Sequence, residues 1–182
     1  NLLNLRKLKK LDDFQMVNYQ RKYMIDTSFP NASVETLLHA FLPFKFVDHS
    51  HSNAILSLID QPNPVQICKK VFGNDLGIVP YIMPGFELAK KASEVFDKNP
   101  KVKGLILLYH GIFTFADDAK ESYNRMIRYI TKAENELKKY SQPIKIKKYI
   151  ERKISISNLS NCIRSEISTP LLDRFQRKIV YF

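Results

Sequence analysis

The sequence predicts an α/β protein, and three observations carry that prediction. Segments with apolar residues three and four apart alternate with short apolar runs of strand character. Clusters of Pro, Gly, Asn and Asp separate these segments, and no internal repeat runs through them. The 182 residues suffice for one domain with a sizeable core. A hydrophobic fraction of 45% and a charged fraction of 26% exclude a disordered, collagen-like or coiled-coil chain.

The elements follow in order. Leu2, Leu3, Leu5, Leu8, Leu11, Phe14, Met16 and Val17 are spaced as in a helix over residues 2–24. Asp26–Asn31 is a loop, after which Ser33 is placed to cap a helix reaching about Leu42, with Glu35 in its first turn. Pro43 stops that helix, and Lys45–Ser50 reads as a strand. Ser52 caps a helix over Asn53–Ile59, and Pro64–Phe72 forms another, closed by Gly73-Asn74. Leu76–Met83 is strand-like, with Pro80 demanding an edge position or a bend. Pro84-Gly85 turns the chain into an amphipathic helix, Phe86–Phe96. Val102–Leu108 reads as a buried strand, and Ile112–Phe115 as a strand that continues it or turns back. Asp117 and Asp118 open the longest helix, to about Tyr140, with Tyr123, Met126, Ile127, Ile130 and Leu137 on its apolar side.

Charge is unevenly spread. The net charge of +11 divides into +8 over residues 138–182 (eleven Lys and Arg, three Asp and Glu) and +3 over 1–137 (eighteen and fifteen). A basic tail suggests nucleic acid, and Tyr140, Tyr149, Phe175, Tyr181 and Phe182 could stack on bases. Ile, Leu and Val interleave with those charges, however, which favours a segment that packs against protein. Residues 1–140 therefore read as the globular domain and 141–182 as a basic tail or linker. Cys68 and Cys162 make neither a disulfide framework nor a Cys-rich metal site, and they fit a reducing, cytoplasmic setting. The longest apolar run, 104–116, contains His110 and is too short to span a bilayer. No glycine precedes Gly73, so a Gly-rich phosphate cradle is excluded from the first seventy residues.

Chemistry concentrates on the histidines. His49 and His51 are two apart on a predicted strand, which turns both imidazoles to one face. His110 follows where another buried strand ends at Gly111. Three neutral imidazoles gathered at strand ends make an open site for Zn²⁺ or a similar ion. The plain alternative is a His-x-His pair without a ligand. His39, among the apolar residues of its helix, reads as a partly buried, hydrogen-bonded histidine. Glu35 and Ser33 have ordinary alternatives as a first-turn acid and an N-cap, and Tyr109 and Asp48 read as structural.

Taken together, Ser33-Val-Glu35-Thr-Leu-Leu-His39-Ala, Val47-Asp-His49-Ser-His51 and Leu107-Leu-Tyr-His110-Gly111 resemble the class II aldolase/adducin family. The string from Ser33 to His51 is most similar to a rhamnulose-1-phosphate aldolase branch whose aldolase module is fused to a short-chain dehydrogenase. The resemblance covers roughly Leu11–Lys139. It implies that His49, His51 and His110 hold a divalent metal, usually Zn²⁺ with Co²⁺ or Mn²⁺ as alternatives, and that Glu35 is the catalytic carboxylate. It places Ser33 near the substrate phosphate. The implied reaction cleaves a ketose 1-phosphate, such as rhamnulose 1-phosphate, to dihydroxyacetone phosphate and lactaldehyde. Epimerase, dehydratase and non-catalytic adducin-like roles occur on the same fold.

The implied architecture is a three-layer α/β/α domain around a largely antiparallel sheet, assembled as a tetramer. The family's phosphate-binding Gly/Asn/Ser segment has no counterpart in the first thirty residues, and the chain begins at Asn1. Both features predict a domain incomplete at its N-terminus. No Gly-x-x-x-Gly-x-Gly occurs in the chain, so NAD is expected only with a fused dehydrogenase. Arg164–Phe182 resembles the linker leading into one.

Overall fold

The computed structural model describes residues 2–140. The expectations for the tail from residue 141 onward, and for Cys162, lie outside the described residues.

A short 3-10 helix, Leu2–Lys7, is followed by α1, Asp13–Lys22. The single helix expected over 2–24 is thus two pieces. Asp12 explains the break: its extended backbone starts a new helix, and its carboxylate accepts the Gln15 N–H at 2.8 Å. Leu5 and Leu11 are both buried, which the change of direction allows.

The next helix, α2, is also shorter than expected, Thr36–Phe41, with Glu35 at the N-cap position. Ser33 stands two residues before the N-cap, where its hydroxyl accepts the Glu35 N–H at 3.1 Å instead of capping the helix proper. β1, Phe46–Ser50, follows; then α3, Asn53–Ile59, and α4, Pro64–Phe72. Both helices have the expected bounds. Pro64 suits a first helical turn, and Gly73 leaves α4 with φ 64°, a conformation that favours glycine. β2, Leu76–Val79, stops at Pro80, and α5, Phe86–Lys98, leads to β3, Gly104–Leu107. The chain then turns back into β4, Gly111–Ala116. Asp118 caps α6, Ala119–Lys138, by accepting the Glu121 N–H at 2.8 Å.

The strands form one sheet in the order β1-β4-β3-β2. β1 and β3 flank β4 antiparallel, whereas β2 and β3 run parallel. The sheet is therefore mixed, not largely antiparallel. Its cause is the α5 crossover, since a strand–helix–strand connection returns the chain in the same direction. Edge strand β2 is where Pro80 can be tolerated.

Alternation along the strands feeds two apolar clusters. Leu105, Leu107, Phe113 and Phe115 pack with Leu37, Leu38 and Phe41 of α2 and with Phe86, Leu88 and Phe96 of α5. Ile106 and Ile112 pack with Ile55 and Ile59 of α3, Phe72 of α4, and Met126, Tyr129 and Ala133 of α6.

The buried face of α6 is rotated from the expected one. Ser122, Met126, Tyr129, Ala133 and Glu136 are buried, while Tyr123 and Ile127 are exposed. Polar anchoring sets the rotation: the Ser122 hydroxyl donates to Asp48, and the Thr114 hydroxyl donates to the Ser122 carbonyl at 3.1 Å. Among the described residues no helix is long and apolar enough to cross a membrane.

Candidate metal centre

Three separate segments deliver the polar groups. β1 ends at Ser50, so His49 lies on the strand and His51 just past it. His110 sits in the turn between β3 and β4, and Glu35 opens α2. The register that pairs His49 with Phe113 and Leu107 with Gly111 brings both chain reversals to one place.

One donor atom from each of Glu35, His49, His51 and His110 lies within 4.8 Å of every other. Glu35 Oε1 is 2.6 Å from His110 Nε2, 3.3 Å from His49 Nε2 and 3.8 Å from His51 Nε2. His49 Nε2 and His51 Nε2 are 2.7 Å apart. Two imidazole lone pairs that close repel unless a proton or a cation neutralises them.

His49 is the best-held member. Its Nδ1–H donates to the Ile112 carbonyl at 3.0 Å, leaving the Nε2 lone pair facing the cluster. Its ring stacks on Phe113, with centroids 4.0 Å apart at 14°. Burial pushes its pKa below the usual value, with the neighbouring imidazoles adding to that fall; the Ile112 carbonyl and Glu35 oppose it. A neutral imidazole is the form that ligates a metal. His51 is the most open, its side chain 54% exposed, whereas those of His49, His110 and Glu35 lie between 10% and 19%. The buried Nδ1 of His110 has no hydrogen-bond partner among the described residues.

Three imidazole nitrogens and one carboxylate oxygen are a donor set suited to Zn²⁺, Co²⁺ or Mn²⁺, and the set as it stands could hold such an ion. Glu35, His49, His51 and His110, expected to act together, are thus brought together. Ser33 is joined to the cluster through its hydroxyl, which accepts the Glu35 N–H. His39 is exposed, not partly buried as expected, and its ring meets the edge of Phe113 at 5.4 Å. Asp48 turns away from the imidazoles to Ser122.

Gly111 and Phe113 carry roles that the sequence alone did not reveal. A Cβ on Gly111 would stand 2.6 Å from the Ser50 carbonyl oxygen, 2.9 Å from His51 Cδ2 and 3.1 Å from His49 Cε1. The absence of a side chain there is what admits both rings. The only local hint was the glycine directly after His110.

Comparison with known proteins agrees with this geometry. Residues 3–137 match the family model of the Class II Aldolase and Adducin N-terminal domain. The chain belongs to this family. It is 40% identical over 130 residues to "Uncharacterized oxidoreductase YuxG" of Bacillus subtilis (strain 168). That match covers 71% of this chain and 19% of the relative, so the chain spans about a fifth of the relative's length. A solved structure, the N-terminal class II aldolase domain of a conserved protein from Thermoplasma acidophilum, is 44% identical with a TM-score of 0.69. It covers 75% of this chain and 62% of that one.

Proposed function

We propose that this chain is the carbon–carbon lyase module of a metal-dependent aldolase acting on a ketose 1-phosphate, with rhamnulose 1-phosphate as the leading substrate. The observation that carries the proposal is the convergence of the Glu35 carboxylate on three imidazoles, 2.6 Å from the nearest. In this reading His49, His51 and His110 hold a divalent cation, Zn²⁺ foremost. When bound, such an ion supplies Lewis-acid stabilisation of the charge that builds beside the substrate carbonyl.

The protein's own residues do the rest. Glu35 takes up or returns a proton at the carbon next to the carbonyl, which needs a carboxylate close to the cation and shielded from bulk water. Its side chain is 19% exposed. Ser33 lies two residues away, so a phosphate it contacted would be anchored within reach of the same carboxylate. Phe113 under His49 and the Ile112 carbonyl on its Nδ1–H keep that imidazole in one orientation and one tautomer.

The same reading takes residues 1–140 as the module, with the three-layer α/β/α arrangement supported by two core clusters sharing one sheet. Assembly as a tetramer, a cytoplasmic setting, and NAD chemistry in an attached dehydrogenase belong to it as well.

The test is aldol cleavage of several ketose 1-phosphates by the purified chain with added Zn²⁺, Co²⁺ or Mn²⁺. Glu35→Gln is expected to retain the ion and lose cleavage by roughly 100-fold or more. Equal turnover in that variant would remove Glu35 from the mechanism, and protein that takes up no divalent ion would sink the whole reading.

A further inference from the structure

Three large apolar side chains stand together outside the core where the parallel strands end. β2 and β3 run side by side to the paired residues Val79 and Leu107, and the Leu108 N–H donates to the Val79 carbonyl at 3.0 Å. Two residues past each strand end stands a tyrosine, Tyr81 and Tyr109. Their rings meet edge to face, with centroids 6.1 Å apart at 82°. The Tyr81 hydroxyl donates to the Met83 sulfur at 3.0 Å. Although they touch one another, Tyr81 is 54% exposed, Met83 69% and Tyr109 48%.

Tyr109 is also held at a cost. It is the one non-glycine with positive φ among the described residues, at 59°. That conformation crowds the Cβ of an L-residue against its own backbone, a strain that a glycine avoids. The turn uses the conformation to send His110 inward: the His110 N–H donates to the Leu107 carbonyl at 3.1 Å, and its imidazole reaches Glu35. The conformation serves the turn, but the tyrosine ring adds nothing to the core. The loop carrying Tyr81 is equally constrained, lying between Pro80 and Gly85, whose φ of 149° and ψ of −157° suit only glycine.

Resting on the aldolase reading above, we infer that Tyr81 and Tyr109 form a specificity-determining wall of the substrate site, against the polyhydroxy chain that leaves as the aldehyde. Position supports this. Tyr109 directly precedes His110, so their Cα atoms are about 3.8 Å apart. The carboxyl ends of parallel strands are also where open α/β sheets take their ligands. Chemistry supports it too. A tyrosine ring takes the C–H side of a sugar chain on its apolar surface while its hydroxyl pairs with a sugar hydroxyl. The thioether that now accepts the Tyr81 hydroxyl is a weak acceptor, readily replaced by such a hydroxyl.

The test compares the parent with Tyr109→Gly, Tyr81→Ala and Tyr81→Phe. It measures Tm in chelator, Co²⁺ affinity by visible absorption, cleavage kinetics on five- and six-carbon ketose 1-phosphates, and inhibition by dihydroxyacetone phosphate alone. Tyr109→Gly is expected to keep or raise Tm and to keep Co²⁺ affinity. Its KM rises roughly tenfold with kcat little changed, the size of one lost aromatic contact. Inhibition by dihydroxyacetone phosphate, which lacks the departing chain, stays at the parent value. Tyr81→Phe, which keeps the ring and therefore the fold, shows a smaller KM rise than Tyr81→Ala.

Parent-like KM and sugar preference in Tyr109→Gly and Tyr81→Phe overturn the inference while leaving the aldolase reading intact. A joint fall in Tm and Co²⁺ affinity also overturns it, because the rings would then be braces for the turn. A parent that binds Co²⁺ yet cleaves no ketose 1-phosphate removes the aldolase reading and the inference with it.

Discussion

Gly111→Ala strikes the point where the two chain reversals meet. The added Cβ would lie 2.6 Å from the Ser50 carbonyl oxygen and within 3.1 Å of both His51 and His49. Ordinary contact at such a position needs about 3.4 Å, so the end of β1 or the start of β4 has to move by roughly 0.8 Å. Metal sites tolerate ligand displacements of only about 0.2 Å. The φ of Gly111 is not in the left-handed region, so the perturbation is purely steric. Overpacking of this kind costs roughly 1–3 kcal/mol, which for a domain of this size lowers Tm by roughly 3–10 °C. Affinity for Co²⁺ or Zn²⁺ should fall by about 10–100-fold, as when groups supporting a ligand are lost.

Gly77→Ala is the control, since the atoms its Cβ would crowd most are in the side chains of Leu105 and Val95, away from the imidazoles. It should lower Tm with metal affinity unchanged. Both variants are compared by thermal unfolding in chelator and by Co²⁺ titration well below their Tm. Parent-like Co²⁺ affinity in a Gly111→Ala protein whose Tm has dropped would refute the argument that this glycine makes room for the imidazoles.

Three further predictions concern the rest of the domain. Phe113→Ala empties a fully buried site under His49 and should cost about 3–5 kcal/mol in urea unfolding without metal. Phe113→Leu keeps most of the volume but not the stack, so it should lower Co²⁺ affinity more than stability; the opposite ranking would dismiss the stack. Cys68 is buried and its thiol is pushed up to about 11 by burial, so native protein at pH 8 should leave it unalkylated by iodoacetamide, as read by peptide mass spectrometry. Hydrogen bonds from Lys139 (2.6 Å) and Lys70 (2.8 Å) lower the Glu136 carboxyl from its ordinary 4.5 to about 2. Because the folded-state pKa is depressed, its contribution is present above about 4.5 and disappears as the pH falls toward 2. The urea midpoints of parent and Glu136→Gln should therefore converge across that window; a constant difference would show that the ion pairs contribute nothing pH-dependent.

What the sequence determined by itself is what short-range rules control. Pro64 and Gly73 bound α4, and α3 starts directly after Ser52 although that side chain makes no capping bond, because a helix end depends on residues within one turn of it. The alternation of elements made the class α/β, and the residue types at 35, 49, 51 and 110 announced a carboxylate and three imidazoles before any fold was known. Other features needed partners distant in the chain. Asp12 divided the first helix, and Ser122 bound to Asp48 turned α6 away from its most apolar stripe. The α5 crossover made the sheet mixed.

Above all, the pairing of β1 with β4 decided the site. It sets His49 on Phe113 and puts Gly111 beneath two imidazoles, so that four donors from three segments share a space of 4.8 Å. Strand register is fixed by long-range hydrogen bonds and by which side chains the core accepts, and neither is written in the spacing of neighbouring residues. The sequence names the chemical groups; the register brings them within reach of one ion.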